Sequence, residues 1–154
     1  MIFISHRANL HGPDKENENK PEQIMKVLDL GFYVEIDVWL INSDIYLGHD
    51  SPQYKINKSF LLNDRLICHA KNIEALEYMV NNNIHCFSHD KDDVVLTSLN
   101  WLWVYPDKKI VPNSICVLPE LTENYDNDTI FKMKGICTDF IFEYEFLYKI
   151  NLKK

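Results

Sequence analysis

The stretch "YVEIDVWLINSDIYLGHD", residues 33–50, decides how this chain folds. Apolar and β-branched residues carry it, yet Glu35 and Asp37 interrupt it and it closes on His49 and Asp50. Side chains alternate along an extended chain, so Glu35 and Asp37 share one face while Val34, Ile36 and Val38 share the other. With both faces covered the carboxylates lie inside, where they need hydrogen bonds, a cationic partner or a metal. Asn42, Ser43 and Asp44 divide the stretch into "YVEIDVWLI" and "IYLGHD", a strand pair whose short turn brings His49 back beside the carboxylates.

Period and punctuation extend the reading outward. "MIFIS" at residues 1–5 is a short buried strand, followed by a polar loop with Gly12 and Pro13. Residues 21–30, "PEQIMKVLDL", place Pro21 at a first helical position and Ile24, Val27 and Leu28 on one face, with Gly31 as the stop. "RLICHAK" is a strand, and "NIEALEYMV" a helix capped by Asn72. "HCFSH", "WLWVY", "SICVLP" and "GICTDFI" are further strands, and "EYEFLYKI" is a helical tail. About eight strands alternating with three or four helices predict an α/β fold: a compact, helix-poor (β/α)8 TIM-type barrel in which loops replace several helices, since the usual form takes about 250 residues. Residues 1–154 are expected to form one domain.

A formal net charge of −7 argues against nucleic-acid binding, which relies on clustered Lys and Arg. No apolar run is long enough for a membrane anchor, and "MIFISHRANLHG" does not read as a signal peptide, so a cytoplasmic location is expected. Cys68, Cys86, Cys116 and Cys137 sit singly in apolar runs without the close pairing of a zinc site, and are read as reduced core residues.

The polar residues gather at strand ends: Ser5-His6-Arg7 after the first strand, His49-Asp50 after the third, His69 and Lys71 at the end of the fourth, and His89-Asp90 after the fifth. In parallel barrels those ends form the active face, so the groups converge although sequence separates them. Paired carboxylates suit a hard divalent cation, Arg7 and Lys71 suit phosphate oxygens, and two imidazoles exchange protons near neutral pH. The structural alternative for Glu35 and Asp37 is a buried ion pair with Arg7 and Lys71. Trp101, Trp103 and Tyr105 share a face that reads as core packing, and His11 and His85 read as structural or solvent-facing.

"ISHR" after an N-terminal strand, Glu18-Asn19, a helix ending at Gly31, "VEIDV", "GHD", "HAK" and "CTDF" together resemble the glycerophosphodiester phosphodiesterase family, within the phospholipase-C-like barrel superfamily. The resemblance implies a metal-dependent phosphodiester hydrolase acting on a small-molecule phosphodiester. By it, His6 and His49 are the catalytic pair, Glu35 and Asp37 hold Mg²⁺ or Ca²⁺, and Arg7 and Lys71 bind phosphate.

Two departures stand out. Ala8 occupies the family's glycine after His-Arg, a mild change where the backbone is unstrained. His69 occupies the place of the third carboxylate ligand, so His69 or Glu120 is the candidate third ligand, with water expected to complete the site; His69 and His89 read equally as core residues or as ligand or substrate contacts. A binding module that keeps the phosphate pocket without turnover is the second reading.

Overall fold

The computed structural model describes residues 1–153. The elements run β1 (Ile2–His6), α1 (Pro21–Asp29), β2 (Tyr33–Ile41), β3 (Asp44–Leu47), β4 (Tyr54–Ile56), β5 (Leu66–Ala70), α2 (Ile73–Asn81), β6 (Cys86–Phe87), β7 (Val94–Leu96), β8 (Leu102–Val104), β9 (Ser114–Val117), α3 (Asn127–Ile130), β10 (Gly135–Thr138) and α4 (Ile141–Asn151). The expected helices at 21–30, after Asn72 and in the tail are all present. Pro21 opens α1 and buries Ile24, Val27 and Leu28 beneath it, while the Asn72 side chain accepts from Ala75 N at 3.1 Å. β4 and β7 are additional strands.

All ten strands belong to one curled sheet. Its parallel staves lie in the order β6, β5, β2, β1, β10, β9, β8. β7 lies antiparallel on β8, and the β3–β4 hairpin extends from β2. β2 is shared along its length: Arg7 N donates to Glu35 O at 3.0 Å and Gly48 N to Asp37 O at 3.2 Å, so β3 takes over the edge that β1 leaves. Asn42 and Ser43, with φ of 49° and 70°, make the two-residue hairpin turn between them, whose twist matches that of the strands.

The expected eight-stave closed ring is not what strand pairing builds. Among the described residues no ladder joins β6 to β7 or β8, and the sheet is an open, curled half-barrel. β6 has two residues and β7 and β8 three each, too few to sustain another ladder. The margin is bridged instead by Ser98 N donating to Cys86 O at 2.8 Å and by Phe87 packing on Trp103 at 5.0 Å.

Alternation sorts the apolar residues into two faces. Val34, Ile36, Val38, Cys68 and Ala70 point outward under α1 and α2, while Ile4, Ile67, Phe87, Trp103, Ile115 and Val117 plug the inside of the curl. One period further along the same staves, Ile4 gives way to His6 and Ile67 to His69, so the inner face turns polar at its C-terminal rim. The four cysteines are buried and unpaired, and burial pushes the Cys116 thiol up to about 12. No helix among the described residues is long and apolar enough to cross a membrane.

Candidate functional site

Asp37 is the hub of the polar rim. It is fully buried on β2, and Asn19 clamps it from both sides: Asn19 Nδ2 donates to Oδ2 at 2.9 Å, and Asp37 N donates to Asn19 Oδ1 at 2.9 Å. His69 Nδ1 lies 3.1 Å and Lys71 Nζ 3.4 Å from Oδ1, while Arg7 Nε and His49 Nδ1 lie 3.2 and 3.3 Å from Oδ2. Burial alone would raise this carboxyl, but hydrogen bonds from His49 and His69 and the Arg7 charge hold it well below the usual range.

Glu35 differs. It is as deeply buried, yet its side chain is held by Arg7 N at 3.3 Å, with His6 Nε2 and His69 Nδ1 no nearer than 3.9 Å. Burial, then the neighbouring Asp37 charge, push its pKa up. The structural alternative, an ion pair of the carboxylates with Arg7 and Lys71, is therefore present at Asp37 and absent at the side chain of Glu35.

His6, at the end of β1, is oriented by Asp139: Nδ1 lies 2.7 Å from Oδ1, which leaves Nε2 facing Glu35. Burial lowers the pKa of His6, but the Asp139 hydrogen bond and the Glu35 charge outweigh it and raise the net value. Asn9 and Glu120 fix Asp139 in turn, Asn9 Nδ2 donating to its Oδ1 at 2.8 Å and Asp139 N donating to Glu120 Oε1 at 2.8 Å. His49 sits across the cleft, its Nε2 3.2 Å from Arg7 NH2. The turn that follows β3 requires Gly48: at φ +146° a Cβ would collide with the Ser51 carbonyl oxygen.

His6, Arg7, Glu35, His49, His69 and His89 line one cleft of about 180 Å³, walled on the far side by Phe87, Trp103, Tyr105, Val117 and Leu118. Lys71 lines a neighbouring hollow with His69 and His89. His89 stacks on Tyr105 at 3.8 Å, and its buried Nδ1 has no hydrogen-bond partner among the described residues. Trp103 is buried in the core, as expected, and it lines the cleft together with Tyr105.

Glu35, Asp37 and His69 each offer a ligand atom within 4.8 Å of the others. Two carboxylates and an imidazole are a sound donor set for a divalent cation, and a desolvated Glu35 without a close cation is what such an ion would satisfy. Glu120, the other candidate third ligand, stands outside this group; its carboxylate accepts from Thr138 Oγ1 at 2.9 Å and from Asp139 N. The backbone at Arg7 and Ala8 is left-handed, with φ of 51° and 67°. Ala8 thus carries a conformational cost of about 1–2 kcal/mol, and the unstrained backbone that would make alanine a mild change here is not what the chain has.

Sequence reasoning assigned no role to Asp139, Asn19, Asn9 or Glu18. Asp139 and the Glu18-Asn19 pair lay within the quoted motifs "CTDF" and "EN". Glu18 ties the first loop together, accepting from Arg7 NH1 at 3.4 Å and from Asn9 Nδ2 at 3.0 Å.

A curled, mostly parallel sheet with helices outside and charged groups at the C-terminal ends of its staves defines an α/β barrel-like fold. A solved structure similar to it is a glycerophosphodiester phosphodiesterase from Parabacteroides distasonis ATCC 8503, with a TM-score of 0.57 over 98% of both chains and 11% sequence identity. At that identity the likeness is one of fold. No protein-family model and no curated protein matches the sequence.

Proposed function

We propose that this chain is a metal-dependent phosphodiester hydrolase working by two-histidine acid–base chemistry on a small-molecule phosphodiester. The observation that carries the reading is the placement of His6 and His49 in one cleft with buried Glu35, the Asp37 hub and two cationic side chains within reach. When bound at Glu35, Asp37 and His69, a divalent cation supplies Lewis acidity to a phosphoryl oxygen.

Arg7 and Lys71 neutralise the charge that develops on the phosphoryl group. Asp139 keeps the proton of His6 on Nδ1, so Nε2 is free to take a proton from the attacking water or substrate hydroxyl. Once the phosphate draws Arg7 Nη2 away, His49 Nε2 takes a proton from solvent, and the imidazolium delivers that proton to the leaving alcohol. The volume of the cleft, about 180 Å³, suits a phosphoryl group with one small alcohol.

The test is turnover of a simple phosphodiester. His6→Ala and His49→Ala are each expected to lower kcat by about 10²–10⁴-fold, a bell-shaped pH profile is expected from the parent, and a chelator should stop the reaction. Unchanged hydrolysis in either variant sinks the assignment. The Arg7–His49 contact also favours a second reading, a phosphate-binding module in which His49 stays occupied; binding of phosphate without turnover of any diester would select it.

A further inference from the structure

On the footing of that function, we propose that His69 makes the site a mixed nitrogen–oxygen centre for a first-row transition cation, Mn²⁺, Co²⁺ or Zn²⁺, in place of the Mg²⁺ or Ca²⁺ expected from the sequence. His69 Nδ1 is 3.1 Å from Asp37 Oδ1 and 3.9 Å from Glu35 Oε1. Three donors sharing one ion at bonds of about 2.1 Å stand about 3.0–3.4 Å apart, so the His69–Asp37 separation already matches, and Glu35, within 4.8 Å of both, closes toward them to share it.

The imidazole cannot easily step aside. His69 faces Asp37 in the parallel β2–β5 register, and its ring lies flat on Phe87 at 4.9 Å and 5°. A third carboxylate does not replace it, because Glu120 is spent on Thr138 and Asp139. Ca²⁺ wants about six to eight oxygens at about 2.3–2.6 Å, and Mg²⁺ favours oxygen and keeps its waters. Imidazole beside carboxylates suits the later first-row ions. The direct ligand is thus the residue that discriminates among cations.

The test uses the intact protein. Calorimetric titration with Mn²⁺, Zn²⁺ and Ca²⁺ is expected to show the first two binding about tenfold or more tightly than the third. Spin-echo spectra of the Mn²⁺-loaded protein should carry nitrogen modulation from a coordinated imidazole. His69→Glu should abolish that modulation and strengthen Ca²⁺ binding. Because His6 and His49 are intact in this variant, loss of the signal assigns it to His69. Nitrogen modulation that persists in His69→Glu, or Ca²⁺ binding as tight as Mn²⁺ in the parent, overturns the inference and leaves a metal-dependent hydrolase standing. Failure of every cation to bind, with hydrolysis surviving a chelator, removes the metal from the function itself. Should His69→Glu not fold, the same two measurements on His69→Gln decide.

Discussion

On one side of β1, β2 and β5 pair over five residues, from Val34–Leu66 to Val38–Ala70, with α1 and α2 sealing their outer face. On the other, β7 and β8 pair over three, and Val94 and Leu96 are 48% and 59% exposed. The first flank holds the buried carboxylates and the second supplies the apolar and aromatic wall of the cleft. Desolvated charge is tolerable only where backbone and cover are rigid enough to keep every partner in place. A wall of aromatic side chains asks for less, and the chain spends fewer residues on it.

The sharpest way to break this contrast is Trp103→Ala. Trp103 is 2% exposed and packs on Phe87, so truncation is expected to cost about 3–5 kcal/mol in a urea titration. A cost below about 1 kcal/mol would mean that the thin flank is not held by its aromatic plug. On the rigid flank, Asn19→Ala removes both hydrogen bonds to Asp37 and should cost about 1–3 kcal/mol, with a matching fall in cation affinity. An unchanged affinity would show that Asp37 needs no clamp.

The smallest effect belongs to His85, which packs edge-on to Trp101 and sits 2.9 Å from Thr97 Oγ1. Burial, helped by the Lys134 charge, lowers its pKa from the ordinary 6.5 to about 4. Between those two values the unfolded chain binds the extra proton and the folded chain does not, so stability falls as the pH drops through that window. Unfolding midpoints measured across it should fall less steeply in His85→Gln than in the parent. Parallel profiles would mean that His85 titrates normally in the folded protein.

The contrast between the flanks also explains what could be read in the sequence. Helix α1 was legible because Pro21, Ile24, Val27, Leu28 and Gly31 repeat the same message, and α2 because Asn72 caps it. Alternation around Glu35 and Asp37 put both carboxylates on the inner face, as found. The strand β7 was not legible: its three residues carry no period, and its partner is chosen by the turn that follows. The open margin was invisible for the same reason, since closure depends on ladder length. His6, His49 and His69 were legible as strand-end residues, but their hydrogen bonds to Asp139 and Asp37 were not. The hydrogen bond from Asn19 to Asp37 and the turn of Glu120 toward Asp139 depend on loop conformations that no periodicity reports. Ala8 shows the same limit, because an alanine at φ +67° looks like any other alanine in the sequence.

β1 lies between β2 and β10, and this placement has a consequence for synthesis. A ribosome makes β1 before the other described strands and β10 after them, so the centre of the sheet waits for the eight strands made between the two. Until Gly135–Thr138 leave the exit tunnel, Ile2–Ser5 present an unpaired edge on that side. His6 meets Asp139 across 133 positions of sequence, one of the longest loops this protein closes. A nascent chain arrested before β10 carries both histidines and both carboxylates and still lacks the residue that orients His6. Assembly of the site is thereby tied to the arrival of β10 and Asp139.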